Sequence, residues 1–218
     1  MRTAEDLALL LHDPATGAPL VDSTSLPRVL AGAVVLEIVL SGRAHLADGR
    51  FRTHLVVDDR RPSGDHVLDL ALERLPADTT PKAAIEKLQS RVRDPLMAGL
   101  VHDGAVRLEE RTMLGFIPLS PRWIAADPTR REAARGRLHA ALVDGVTPSP
   151  EDASLVALVR AVKAEHKLLD APRRELRARS RQIADGEWAA EAVRRAIADI
   201  YSAVAATAAA GATAAGST

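Results

Sequence analysis

Apolar positions along this chain recur in short helical periods, separated by capping residues and turns. Leu7, Leu10 and Leu11 fall on one face of a first helix. Thr3 caps it, with Asp6 three residues on as a short-side-chain version of the capping box. Residues 13–17, Asp-Pro-Ala-Thr-Gly, form a loop. The next helix is predicted to start at Ser25 or Leu26, with Pro27 in its first turn, and to run to Ser41, with Gly42 just past its end. Leu30, Val34, Val35, Ile38 and Val39 cover most of its circumference. A helix that is apolar nearly all round is buried, so this one is predicted to be central. Gly32 within it predicts the close approach of another backbone.

Further along, Asp48-Gly49 is a hairpin signal, and residues 54–57 read as the strand that follows it. Residues 60–65 form a loop, and a helix continues from there to Leu75. Thr80 caps and Pro81 opens a helix reaching Arg93. Pro95 starts a new helix or kinks the old one, and Gly104 ends it. Residues 105–124 read as a second hairpin. Asp127-Pro128 opens a basic helix to Val143, and Ser149-Pro150 opens another with Glu151 and Asp152 suitably placed for the helix dipole. Two more helices are predicted over 172–184 and 187–210. The fold class expected is mainly α, a single compact helical domain over residues 1–210 with one or two β-hairpins, followed by a flexible Gly/Ala/Ser/Thr tail over 211–218.

Composition narrows the function more than the fold. The chain of 218 residues has no cysteine, which removes disulfides, thiol catalysis and thiolate metal sites and makes a cytoplasmic location the default. Only five residues are aromatic (Phe51, Phe116, Trp123, Trp188 and Tyr201), so ring-stacking platforms for bases are excluded. The longest apolar stretch, residues 29–40, is broken by Gly32 and Glu37 and is too short to span a bilayer. Net charge is zero but unevenly spread: residues 1–80 carry eight basic and twelve acidic side chains, and residues 81–150 carry eleven and eight. An anionic partner must therefore be met by a local patch.

The sequence offers no catalytic centre. Its seven histidines form no HExxH pair, and there is no GxSxG elbow, P-loop or GxGxxG turn. Asp58, Asp59 and Asp65 read as a solvated acidic loop. No enzyme activity, cofactor or metal is expected. Arginine is the abundant cation, and its fork suits phosphate. It clusters at Arg91 and Arg93, at Arg130, Arg131, Arg135 and Arg137, and at Arg173, Arg174, Arg177, Arg179 and Arg181. The last two clusters read first as solvated helix faces. Residues 113–117, Met-Leu-Gly-Phe-Ile, are apolar without alternation. They suit either a hairpin packed on the core or an exposed tip for a membrane or a second subunit.

An ordered set of segments is similar to the Golgi phosphoprotein 3 family, including its bacterial members. The set comprises the leucine-rich first helix, the loop from Asp13 to Gly17, and Leu30-Ala31-Gly32-Ala33-Val34-Val35-Leu36-Glu37-Ile38 running into Ser41-Gly42-Arg43. Pro62-Ser63-Gly64-Asp65-His66-Val67-Leu68-Asp69 and Leu100-Val101-His102-Asp103-Gly104 complete it. The resemblance implies a reversibly membrane-associated protein that binds phosphatidylinositol 4-phosphate and the cytoplasmic tails of membrane enzymes. It also implies a headgroup pocket of one Trp and three Arg, and a protruding hairpin for membrane contact or homo-oligomerisation. Carried over by position, the Trp falls on Asp22 and the Arg positions on Ala31, Ser90 and Arg93. The headgroup residues expected here are Arg93, Arg91 beside Ser90, and Arg28 one helical turn before Ala31. The expected membrane-contact residues are Met113, Leu114 and Phe116. Because Asp22 repels phosphate, anionic lipid in general is expected as the partner rather than one phosphoinositide.

A competing reading is a winged-helix-like DNA-binding regulator, since a helix followed by Gly-Arg and a hairpin over 29–57 has that order. The acidic excess of residues 1–80 counts against it. No nucleic-acid partner is expected.

Overall fold

A computed structural model describes residues 3–50, 52–113, 117–185 and 191–215. Ten helices and two antiparallel sheets run through them. The helix predicted to be central is α2 (Ser25–Leu40), and residues 29–36 of it are all buried. Asp22 organises its start. The Asp22 carboxylate accepts from Thr24 N at 3.0 Å and Ser25 N at 2.8 Å, covering backbone donors at a helix start. Burial opposes ionisation there, but the hydrogen bonds from Ser25 and Thr24 hold this carboxyl well below the usual range.

Helix α1 (Thr3–Leu10) lies on α2 and is locked to it by a polar contact, Ala4 N donating to Glu37 Oε1 at 2.9 Å. Burial pushes Glu37 up to about 7. On another side of α2, the long α10 (Glu191–Ala215) packs at Gly32 together with α7 (Pro150–Ala161). A Cβ at position 32 would stand 2.3 Å from Val204 Cγ2. The glycine thus admits a branched side chain of α10, where the sequence reading expected a backbone.

The first hairpin forms as predicted, from β1 (Ala44–Asp48) and β2 (Thr53–Val57). Asp48 pairs with Thr53, so four residues form the loop rather than an Asp-Gly pair, and Gly49 N donates to Arg52 O at 3.0 Å. A two-residue strand β3 (Asp78–Thr79) adds to β2, giving the order β1-β2-β3. It was unforeseen because two residues carry no alternation to read.

Helix α4 (Pro81–Leu88) follows its predicted cap, Thr80, and α3 (His66–Arg74) is capped by Asp65, the last residue of the predicted loop. Helix α4 stops at Leu88, five residues short of the predicted end, and α5 (Arg93–His102) begins after a turn. Pro95 is the reason. It has no N–H to bond the Arg91 carbonyl, so the chain breaks upstream and Pro95 falls in the first turn of α5, where no donor is needed. The second hairpin, β4 (Val106–Met113) with β5 (Ile117–Ala125), carries an irregularity between Glu109 and Arg111. Beyond it come α6 (Thr129–Leu142), the short unforeseen α8 (Glu165–Leu168) and α9 (Arg173–Asp185).

The structure overturns the winged-helix reading. The helix before the first hairpin is α2, whose partly exposed residues are confined to its two ends. A recognition helix must be free to enter a groove. Among the described residues, no helix is long and apolar enough to cross a membrane.

The Gly32–Val204 contact generates a prediction. Gly32→Ala gains up to about 1 kcal/mol of helix propensity but forces α10 outward at about 1–3 kcal/mol, so chemical denaturation should show a net loss. Combining it with Val204→Ala should cost less than the sum of the two single changes. Additive losses would show that the two sites do not meet.

Candidate anionic-headgroup site

The break before α5 places Arg93 at the first helical position, with exposed Arg91 two residues ahead. The Arg93 guanidinium carbon lies 4.8 Å from the ring centroid of Trp123 on β5, a cation–π geometry. Its Nε is buried and has no hydrogen-bond partner among the described residues. The indole therefore fixes the plane of the guanidinium without using its donors.

Trp123 is held by the loop at residues 13–17. Asp13 closes that loop by accepting from Thr16 N at 2.8 Å, Thr16 Oγ1 at 2.8 Å and Ala15 N at 3.1 Å. Gly17 sits at φ +64°, and a Cβ there would stand 2.4 Å from the Trp123 carbonyl oxygen. Position 17 thus needs glycine both for its left-handed backbone and for contact with β5. Ala125 N donates to Pro14 O at 3.2 Å, a second tie between loop and hairpin.

His12 lies beneath this contact, 5% exposed. Its Nδ1–H donates to Ala8 O at 2.7 Å, which leaves Nε2 as the lone-pair nitrogen, buried and without a partner among the described residues. His12, Trp123, Met97 and Arg131 line a pocket of about 10 Å³. Burial lowers the His12 pKa, the Ala8 bond opposes the shift, and the Arg93 charge adds to it.

The other expected residues stand apart. Arg28 is half-buried in the first turn of α2 and donates from Nη1 to Thr24 O at 3.1 Å within its own helix. Met113 closes β4 opposite Ile117. Leu114 and Phe116 lie outside the described residues.

The arginines of α6 have internal work. Arg130 donates to Asp6 Oδ1 at 3.1 Å and to Glu5, and Arg137 reaches Asp6 Oδ2 at 2.5 Å and Asp152 Oδ1 at 2.8 Å. Arg131 and Arg135 both bind Glu132. This network tethers α1, α6 and α7 and borders a cleft of about 970 Å³. Glu5, Asp6, Asp65, Asp103, Glu151 and Asp152 line that cleft, against two guanidiniums.

Comparison with protein families decides the relationship. The family model for Golgi phosphoprotein 3 (GPP34) matches residues 4–200. The chain belongs to the Golgi phosphoprotein 3 family. A search of curated proteins returned no match.

As a member of this family, the chain departs from the pocket pattern that its sequence led us to expect. The aspartate at the expected Trp position caps α2, and an indole stands beside Arg93 from β5 instead. Trp123, His12 and Arg131 were not foreseen as neighbours of Arg93. The rarity of tryptophan was the only available signal, and it carried no hint of the partner.

The buried His12 makes stability depend on pH. A histidine whose folded pKa is depressed contributes stability that is present above its ordinary value of 6.5 and lost as pH falls below it. The difference in unfolding free energy between the wild type and His12→Gln should therefore shrink on acidification from about pH 7.5 to 5.5, by at most about 1.4 kcal/mol per pH unit. A difference that stays flat over this window would show that His12 titrates normally.

Proposed function

We propose that this protein is a peripheral, non-enzymatic membrane protein that binds acidic lipid headgroups at the N-terminal end of α5. The observation that carries the reading is Arg93, held against Trp123 at 4.8 Å, with the exposed Arg91 two residues ahead. A guanidinium oriented by an aromatic face keeps its planar fork for a phosphate. Arg28 adds charge from the start of α2. Only Arg93 stands at a position implied for the family pocket, so the site reads negative charge rather than a single phosphoinositide. Apolar contact from Met113, Leu114 and Phe116 adds to the charge term. Two or three arginines supply roughly 1 kcal/mol each near an acidic surface, and a buried apolar side chain about 1.5–3 kcal/mol, so binding is reversible.

Flotation with phosphatidylcholine vesicles, with and without acidic lipid, tests this. Recovery should require the acidic lipid and fall with salt. Arg93→Glu should cut it at least about tenfold, since a charge reversal removes attraction and adds repulsion of the order of 1 kcal/mol each. Equal recovery on neutral and acidic vesicles would overturn the reading.

The acidic cleft supports a second role in the same protein. Six carboxylates against two guanidiniums make an opening of about 970 Å³ suited to a basic peptide, such as the cytoplasmic tail of a membrane enzyme. A short peptide carrying two arginines should bind in low salt and lose affinity with Glu151→Lys, measured by calorimetry. Binding unchanged by that substitution would place the peptide elsewhere.

A further inference from the structure

The arginines of this chain divide into two populations that its sequence does not distinguish. Those of α6 are spent on carboxylates. On α9, the arginine whose side chain is hydrogen-bonded into the fold, among the described residues, is Arg179: its Nε donates to Ala141 O and its Nη2 to Gly145 O, both at 3.0 Å, closing the C-terminal end of α6. Arg173, Arg174, Arg177 and Arg181 are all exposed, and none is within salt-bridge distance of a carboxylate among the described residues.

Their placement is regular. Arg173, Arg177 and Arg181 follow at four-residue intervals and Arg174 lies beside them, so all four fall within an arc of about 100° over a length of about 12 Å. Leu176, Ser180 and Ile183 occupy the buried face. Glu175, the acid within this stretch, lies about 100° beyond the arc.

The row also runs against local helix electrostatics. Arg173 and Arg174 stand in the first turn, where the helix dipole is positive, and the last turn holds no basic residue. Placing cations at the wrong end costs stability, offset only in part by Glu175 in the same turn. Breaches of local preference of this kind recur at functional sites. The positive field reaches α8. Burial lowers the His166 pKa, and Arg173, Lys167 and Arg177 lower it further. The nearby Glu165 is 5% exposed: burial pushes its carboxyl upward, and the charges of Arg177 and Arg160 oppose that shift.

We propose that the Arg173–Arg177–Arg181 row, with Arg174, is a docking surface that lies against an anionic bilayer and holds it by charge alone. The inference rests on the acidic-lipid reading above but concerns a different helix. The exposed residues of α9 include no large apolar side chain for insertion and no aromatic ring for base stacking. Gln182 is engaged by Arg179, and Ser180 is buried with its hydroxyl on Arg177 O. This leaves the guanidiniums without a stacking ring or a free amide beside them. Four cations in a straight exposed row suit a lattice of phosphates that demands no register.

The test uses the full chain, phosphatidylcholine vesicles containing phosphatidylserine, and a salt series. Changing Arg173 and Arg177 to Gln should lower vesicle partition roughly twenty-five-fold, since each basic residue near an acidic surface is worth about fivefold. It should also flatten the salt dependence. The same pair changed to Lys should retain binding. Arg52→Gln with Arg74→Gln, an equal charge change on other exposed residues, should leave partition nearly unchanged. On vesicle addition, the His166 pKa followed by NMR should rise as lipid charge offsets the arginine field. Circular dichroism and thermal midpoints confirm that each variant is folded.

Partition unaffected by the Gln pair, while Arg93→Glu still abolishes it, would overturn this proposal and leave the α5 site standing. An equal fall in the Arg52/Arg74 control would assign the effect to bulk charge and overturn it too. Loss of binding in the Lys pair would refute charge alone. Binding of the wild type to duplex DNA but not to acidic vesicles would overturn both the proposal and the lipid reading.

Discussion

Burial of α2 on nearly all sides is the constraint from which the rest of this structure follows. A helix with apolar residues over most of its circumference must be surrounded, and in a chain with five aromatic residues the covering has to come from aliphatic side chains. Each neighbour therefore approaches closely. At Gly32 the approach is near enough that a single methyl group would collide with Val204, which sets where α10 crosses. At the other end, the half-buried Glu37 accepts a hydrogen bond from Ala4, which orients α1. The polar residues of α2 are thus confined to its ends, and Arg28 and Glu37 belong to separate surroundings.

The second organising element is the seating of the β4–β5 hairpin on the loop after α1. Asp13 closes the loop and Gly17 presses its backbone on Trp123. The indole then serves two neighbours: it stacks with Arg93 and, with His12, helps line the small pocket below. Trp123 thereby ties the base of the hairpin to Arg93 at the start of α5.

Guanidinium groups are used in three ways here, and their surroundings decide which. Arg130 and Arg137 are drawn into a network with Asp6, which is 5% exposed and requires paired charge to stay buried. Arg179 satisfies carbonyls that α6 leaves open at its C-terminal end. Arg93 is oriented by a ring, and the α9 row meets solvent without an ionic partner among the described residues. The same side chain thus appears as structural cement, as a cap and as a presented charge.

Most of the helices, their caps and both hairpins were legible in the amino-acid sequence, because period, capping residues and prolines act over a few neighbouring positions. The central place of α2 followed from its apolar girth, and the family resemblance from the order of the segments. Arg93 was marked by the position that the family resemblance gives it. What only the tertiary structure decided was pairing between distant residues: Trp123 with Arg93, Arg130 with Asp6 across 124 positions, and Arg179 with the end of α6. A cluster of arginines looks the same in sequence whether carboxylates meet it or water does, because partners are chosen by how the helices pack and not by what lies next to them in the chain.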